Sequence, residues 1–428
     1  MHSLRSLPLG RALPSAGLVL ALLALAACGR PPHAPAGLLA PGEYRASVLL
    51  QFGFTVVELP FGFTVVERGG TKRVEIKNGS EVIEARELED RPGRFVLRFP
   101  GYENRIEASE VPGGYSGALV MIRRGGREVR LPFSALRNEH YRFARTPTPD
   151  PPNVAGRWAI TFTSRDGSSS PAVAEFEQSG AHVTGTFLDP TGDHRFLEGE
   201  LVDDELQLSR FDGGSAFLYH ARVLPDGTLA GTFWSGNWSE QALAGHRDES
   251  ATLADPAAAA AARAAAMPFE FSFPDLDGHP VALSDPRFRG KVVIISLGGS
   301  WCPNCHDEAA FLKPLYARLH ARGLEIIYLE FEYFGDFPQA VAANRRFVSE
   351  YGIDWPVLIA GTSSKDEASK KLPRLGQVYA FPTTVVVDRA GRLRDVHSGF
   401  SGPATGRHYE EFRTQFTGLL ESLLDETG

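Results

Sequence analysis

The sequence predicts a multidomain protein in which an N-terminal all-β region precedes a C-terminal α/β domain, and three observations carry that prediction. Between residues 41 and 250, short alternating runs such as Arg94-Phe95-Val96-Leu97-Arg98-Phe99 and Glu205-Leu206-Gln207-Leu208 lie between clusters of Gly, Pro, Asn and Asp. Period-two alternation bounded by turn residues marks antiparallel sheet. Further on, Lys291-Val292-Val293-Ile294-Ile295-Ser296-Leu297 is an almost unbroken apolar, β-branched run, the pattern of a strand buried on both faces, and Phe311, Leu312, Leu315, Tyr316 and Leu319 follow at helical spacing. An alanine tract over 257–266 separates the two patterns; it has high helix propensity and little to bury, so 251–267 is read as a linker. A length of 428 residues fits several domains at roughly 150 residues each, and 44 Gly with 30 Pro suit a folded, turn-rich chain.

The N-terminus reads as an address. Arg5 and Arg11 precede an apolar run of twelve residues, Ala16 to Ala27, too short to span a bilayer as a mature helix, so residues 1–27 are read as a cleaved export signal. Leu25-Ala26-Ala27-Cys28-Gly29 resembles a bacterial lipobox, which makes Cys28 the expected lipid attachment site. Each buried CH₂ of an acyl chain contributes about 0.8 kcal/mol, so several chains anchor a protein without a transmembrane helix. Residues 28–40, with Pro31-Pro32 and Pro35, are expected to form a stiff tether. Gly29 stands where retained inner-membrane lipoproteins carry aspartate, which favours the outer membrane over the inner. The expected location is therefore the bacterial envelope, facing the periplasm.

Charge excludes one class of partner. The chain carries 44 Lys and Arg against 52 Asp and Glu, a net charge of −8, and so has no basic field for a nucleic-acid backbone. Loss of residues 1–27 removes two arginines and no acid, so docking on anionic lipid by charge is disfavoured as well.

Within the β region the chain repeats itself. Gly42-Glu43-Tyr44 returns as Gly156-Arg157-Trp158, Arg98-Phe99 as Arg210-Phe211, and Ser116-Gly117 as Ala230-Gly231. Two related units, 41–150 and 151–250, are expected, as separate β domains or as halves of one barrel or sandwich. The heptapeptide Phe52–Glu58 recurs unchanged as Phe61–Glu67, which reads as slippage within one strand. His182, His194 and His220 show no ligand spacing, and no chemistry is assigned to this region.

Chemistry concentrates in residues 268–428. Three cysteines cannot form a disulfide scaffold, and two of them, Cys302 and Cys305, sit where the buried strand meets the helix. Unpaired backbone N–H groups and the helix dipole favour a thiolate there, the species that attacks disulfides. Cys302 is expected to be the exposed attacker and Cys305, one turn further in, to resolve the mixed disulfide.

Trp301-Cys302-Pro303-Asn304-Cys305 after a buried strand, then Phe381-Pro382-Thr383-Thr384 entering Val385-Val386-Val387-Asp388, resembles the thioredoxin fold, specifically TlpA/ResA-like extracytoplasmic thiol-disulfide oxidoreductases. The resemblance spans about 270–424. It implies a redox-active Cys302–Cys305 disulfide with no other cofactor and no metal, protein thiol or disulfide substrates, and a membrane thiol carrier as electron donor. It makes Trp301, Pro303, Asn304, Phe381 and Pro382 the substrate-docking residues, Pro382 taking the place of the family's cis-proline. Ser296 stands where thioredoxins often keep a buried acid. Glu308 matches a glutamate of the TlpA/ResA-like group and is the candidate proton relay, against a solvated acid at a helix start, with Glu330 and Glu332 on the next strand as further candidates.

The function expected is an envelope thiol-disulfide oxidoreductase that reduces protein disulfides. Its rivals are an interaction lipoprotein acting through the β units and a copper site made from the cysteines with His306. A structural staple is poorly placed, since a four-residue loop yields only about 2 kcal/mol against about 4.7 for a hundred residues.

Overall fold

Alternation in β1 (Gly42–Phe52) turns Tyr44, Ala46, Val48 and Leu50 into one core and places Arg45 on the other face, where it meets Glu58 and the carbonyl of Arg142. The fold is that of a computed structural model describing residues 39–68, 71–91, 93–254 and 269–426. The expected export signal, Cys28, most of the tether and most of the alanine linker lie outside those residues. No helix among the described residues is long and apolar enough to cross a membrane.

The first unit continues through β2 (Thr55–Arg68), β3 (Thr71–Asn78), β4 (Glu81–Arg91), β5 (Arg94–Arg98), β6 (Arg105–Val111), β7 (Gly114–Arg123) and β8 (Arg127–Arg137). Each strand pairs antiparallel with the next and β8 pairs with β1, closing an eight-stranded barrel. Tyr44, Phe63, Phe95 and Tyr115 meet across its interior.

The second unit is a separate barrel built on the same plan. It runs through β9 (Gly156–Ser164), β10 (Ser169–Ser179), β11 (His182–Asp189), β12 (Gly192–Asp193), β13 (Leu197–Val202), β14 (Glu205–Phe211), β15 (Ala216–Val223), β16 (Leu229–Ser235) and β17 (Ser239–Arg247). Pairing of β10 with both β9 and β11 closes the ring, with β12 a small addition beside β11. Phe162, Phe176, Phe187, Tyr219 and Phe233 pack its centre.

The repeated residues occupy equivalent places. Tyr44 and Trp158 each sit in the first strand of a barrel and bond to the carbonyl four residues back, Tyr44 Oη to Ala40 at 2.7 Å and Trp158 Nε1 to Val154 at 2.8 Å. Gly117 and Gly231 lie in the seventh strands, where an added Cβ would come within 1.9 Å of Glu107 O and 2.0 Å of His220 O. Phe211, ending the fifth strand of the second barrel, packs against Phe61 and Phe99 of the first and joins the two units.

The identical heptapeptides do not share one strand, which corrects the expectation. Phe52–Glu58 ends β1, turns at Gly53-Phe54 and enters β2, whereas Phe61–Glu67 lies wholly within β2. Phe54 is fully exposed and its counterpart Phe63 is buried on Tyr44, because position along the hairpin, and not local sequence, decides which side meets the core.

The C-terminal part opens with the small hairpin β18 (Ser272–Pro274) and β19 (Pro280–Ala282). Its main sheet has the order β22-β21-β20-β23-β24, from β20 (Val292–Gly298), β21 (Leu324–Glu332), β22 (Val357–Thr362), β23 (Thr383–Val387) and β24 (Leu393–Ser398). The first three strands are parallel, β23 pairs antiparallel with β20, and β24 pairs antiparallel with β23. Helices α1 (Pro303–Leu319), α2 (Phe337–Tyr351), α3 (Lys365–Lys371) and α4 (Arg407–Asp425) complete it. Val292 and Ile294 pack with α1 and α4 while Val293, Ile295 and Leu297 pack in the opposite core with α3, so β20 is buried on both faces as its composition requires.

Two glycines should therefore respond with opposite signs. Gly231→Ala forces a Cβ onto the neighbouring strand's backbone and should cost about 1–3 kcal/mol in urea unfolding. Gly418→Ala in α4 meets open space and should stabilise by about 0.5–1 kcal/mol.

Candidate redox site at the start of helix α1

The chain must turn from buried β20 into α1 within four residues, and its neighbours fix each step. Gly299 leaves no room for an ordinary side chain, since a Cβ there would fall 2.2 Å from Trp301 Nε1, and at Gly298 a Cβ would be tight against Cys305 Sγ at 3.2 Å. Ser300 donates its N–H to Glu332 Oε1 at 2.8 Å and its hydroxyl to Oε2 at 3.1 Å. Trp301 Nε1 donates to the Phe331 carbonyl at 2.9 Å, and its ring stacks on Tyr333. Cys302 then caps α1, its Sγ accepting the Cys305 N–H at 3.2 Å, and Pro303 occupies the first helical position, where no N–H is needed.

Cys302 and Cys305 are joined as a disulfide. Cys302 Sγ lies 3.4 Å from the carbonyl oxygen of Phe381, and the Phe381–Pro382 bond is cis. Phe381 stacks on Phe331 and meets Trp301 edge-on. The structure thus brings Trp301, Pro303, Phe381 and Pro382 around the sulfurs. One expectation fails: Cys302 is not exposed. It is 3% accessible and Cys305 5%, and the residues beside them in the first turn of α1, Asn304, His306 and Asp307, are each contacted from the barrels.

Beneath the disulfide lie three buried carboxyls. Glu308 receives hydrogen bonds from Ser296 Oγ and Thr384 Oγ1, so it is no solvated helix-start acid, and the serine that replaces an acid on β20 is that acid's donor. Burial pushes Glu308 up to about 7 against the pull of those two hydroxyls. Glu330 pairs with Gly298 in register, and a Cβ placed on Gly298 would lie 3.2 Å from Cys305 Sγ and 3.7 Å from Glu330 Oε1. Only hydrogen atoms of a glycine intervene there. Glu330 Oε2 has no hydrogen-bond partner among the described residues, and burial, then the charges of Glu332 and Glu308, hold it well above the usual carboxylate range. Glu332 is committed to Ser300 and Asn344, a positioning arrangement.

His306 cannot serve the sulfurs as a metal ligand in this arrangement. Its Nε2 lies 2.8 Å from the Ser300 carbonyl and its Nδ1 3.0 Å from Tyr351 Oη, so both ring nitrogens are engaged, and burial lowers its pKa to about 3. Its ring stacks on Tyr102 of the first barrel at 4.1 Å.

The sequence reading missed what the barrels add. Asn304 Nδ2 donates to the Asp193 carbonyl at 3.1 Å and to the Phe400 carbonyl at 3.2 Å. Arg195 binds Asp307 at 3.0 Å, Glu81 at 2.5 Å and Asp212 at 3.3 Å, joining the first turn of α1 to both barrels. Burial, aided by neighbouring Asp307, pushes Asp193 up to about 7, and burial pushes Asp307 up to about 6 despite Arg195. One signal was available in the repeat: the first barrel links its third and fourth strands through Gly79-Ser80, whereas the second uses residues 190–196 for the same connection.

The Redoxin family model matches residues 262–410. This part of the chain is a redoxin domain similar to TlpA/ResA-like thiol-disulfide oxidoreductases. Among curated relatives, thiol-disulfide oxidoreductase ResA of Bacillus thuringiensis subsp. konkukian is 29% identical over 147 residues, covering 34% of this chain and 75% of that protein. ResA of Halalkalibacterium halodurans is 28% identical over 138 residues, covering 32% and 70%. A solved secreted thiol-disulfide isomerase from Corynebacterium glutamicum aligns at 23% identity and a TM-score of 0.30, covering 37% of this chain and 86% of that one. The family model leaves the barrel strands outside the redoxin domain.

Glu308 generates a pH prediction. Its folded pKa is raised, so its contribution to stability is fully present below the ordinary carboxyl range and is lost as pH rises through about 7. Glu308→Gln cannot ionise. Its urea midpoint should therefore gain on wild type between pH 5 and 8, and a constant difference would show that Glu308 ionises freely in the folded protein.

Proposed function

We propose that the protein is a lipid-anchored protein-disulfide reductase of the bacterial envelope, attacking through Cys302 and resolving through Cys305. The observation that carries this reading is a disulfide at a helix N-terminus with buried, proton-holding carboxyls directly behind it. In the reduced protein, the Cys302 thiolate attacks a substrate disulfide, forming a mixed disulfide and releasing one substrate thiolate. Cys305 loses its proton to Glu308, the relay the family resemblance assigns, whose ionised form is available at neutral pH because its pKa is about 7, while Glu330 stays protonated near the sulfur. The Cys305 thiolate then attacks Cys302 Sγ, the second substrate thiolate leaves and takes up a proton, and two electrons have passed to the substrate. A membrane dithiol carrier restores the pair. Trp301, Pro303, Asn304, Phe381 and Pro382 form the surface on which the substrate chain docks.

The envelope location rests on the export signal and on Cys28 as lipid attachment site, with the outer membrane favoured by Gly29. Cys28→Ala should abolish incorporation of labelled palmitate and release the protein from membranes; unchanged labelling removes the anchor from this reading.

Cys305→Ser should accumulate a mixed disulfide on Cys302 in cells, resolved on non-reducing gels and lost in Cys302→Ser. Glu308→Gln should slow mixed-disulfide resolution by about a hundredfold at neutral pH, the lower range for a positioned acid–base group. Absence of any Cys302 adduct in Cys305→Ser would overturn the reductase reading.

A further inference from the structure

The barrels touch the surroundings of the two sulfurs at three places. Hairpin 189–195 of the second barrel sits on Asn304 and Phe400: the Asp193 N–H donates to Phe400 O at 3.3 Å, and Gly192 is so close that a Cβ would fall 2.2 Å from Asn304 Nδ2. The turn after β5 lays Tyr102 on His306, and a Cβ at Gly101 would lie 2.7 Å from His306 Cε1. The turn after β7 donates the Gly125 N–H to Tyr333 O at 2.6 Å, and Tyr333 backs Trp301. The first of these contacts falls on Asn304, a side chain proposed to receive a substrate, and the third on Tyr333, which stacks on Trp301, so a substrate chain and hairpin 189–195 compete for the Asn304 side of the site.

We propose that the two barrels form a gate over the disulfide, with hairpin 189–195 seated where a substrate chain docks and Arg195 as its latch, which makes Arg195 a specificity-determining residue for the exchange reaction. The inference rests on the reading of Cys302 as the attacking sulfur. Arg195 gathers one acid from each of three folded parts: Glu81 from the first barrel, Asp212 from its own, and Asp307 from the first turn of α1. Buried ion pairs of this kind specify an arrangement more than they stabilise it, since desolvation offsets much of their attraction. The closure is accordingly separable. The partner admitted is a protein whose own surface displaces the hairpin from the Asn304–Phe400 strip, while a small disulfide reacts only through spontaneous opening.

The test uses the full-length, reduced protein. Protection of Cys302 from iodoacetamide, relative to the unfolded chain, is compared with hydrogen-exchange protection of the Asp193 and Gly125 amides, which bridge barrel and redox domain. Gate opening breaks both bridges, so the thiol should be protected at least as strongly as the less protected amide. Arg195→Ala should raise alkylation by about tenfold or more, as a subglobal opening would. Arg124→Ala, which removes a hydrogen bond to the Ser363 carbonyl across the same junction, should act in the same direction without touching the ionic cluster. In both variants, exchange with oxidised dithiothreitol should rise in step with alkylation, and exchange with a protein disulfide should rise less. A thiol alkylated more readily than those amides exchange in wild type overturns the gate, as do two folded variants with unchanged rates. If Arg195→Ala fails to fold, the wild-type comparison and Arg124→Ala decide. Failure of the redox reading is separate: Cys305→Ser would then trap nothing even in the opened variants.

Discussion

The first turn of α1 is the constraint on which the redox half of the molecule depends. A buried strand has to end, reverse into a helix and leave a disulfide at the helix tip, all within Gly298 to Cys302. The backbone manages this because two glycines permit close approach, Glu332 satisfies the freed amide of Ser300, and Phe331 takes the Trp301 indole N–H. Each of those partners comes from β21, so the parallel pairing of β20 with β21 is what aims the cysteines. Helix-end amides that would otherwise need solvent are met by Cys302 Sγ and by a proline that has none to offer.

The same strand pairing sets where the buried acids lie. Glu330 lies opposite Gly298 by register, and a larger residue there would stand between carboxyl and sulfur. Glu308 reaches the sheet from the helix side and is held by hydroxyls from β20 and β23. Desolvation raises both acids, leaving Glu308 partly ionised at neutral pH and Glu330 protonated, and a group near 7 is the one suited to exchange a proton with a sulfur in the proposed reaction. The acid thus enters from the helix side while Ser296 on the strand supplies its donor.

The barrels show how one architecture can serve two ends. Both close with eight strands and both anchor the first strand through an aromatic side chain bonded four residues back. They differ between the third and fourth strands, where the longer connection of the second barrel carries Asp193 and Arg195 to the redox site. The first barrel contributes Tyr102 from the turn after β5 and Glu81 from the start of β4. Junctions built from turns and side chains, with the strands kept for each barrel's own core, can vary without disturbing either ring.

The sequence by itself determined what depends on near neighbours along the chain. Alternation gave the strands of each unit, the internal repeat gave two related units, and Cys302-Pro303-Asn304-Cys305 after Lys291–Leu297 gave a redox pair at a strand-to-helix junction. Whether the units formed one barrel or two was beyond it, because closure depends on which distant strands pair. So was the junction beside the cysteines: Tyr102, Asp193 and Arg195, which contact His306, Asn304 and Asp307, stand more than a hundred positions away and carry no local pattern. Glu308 was visible as a candidate, but the desolvation that raises its pKa exists only once β20, β23 and α1 have packed around it.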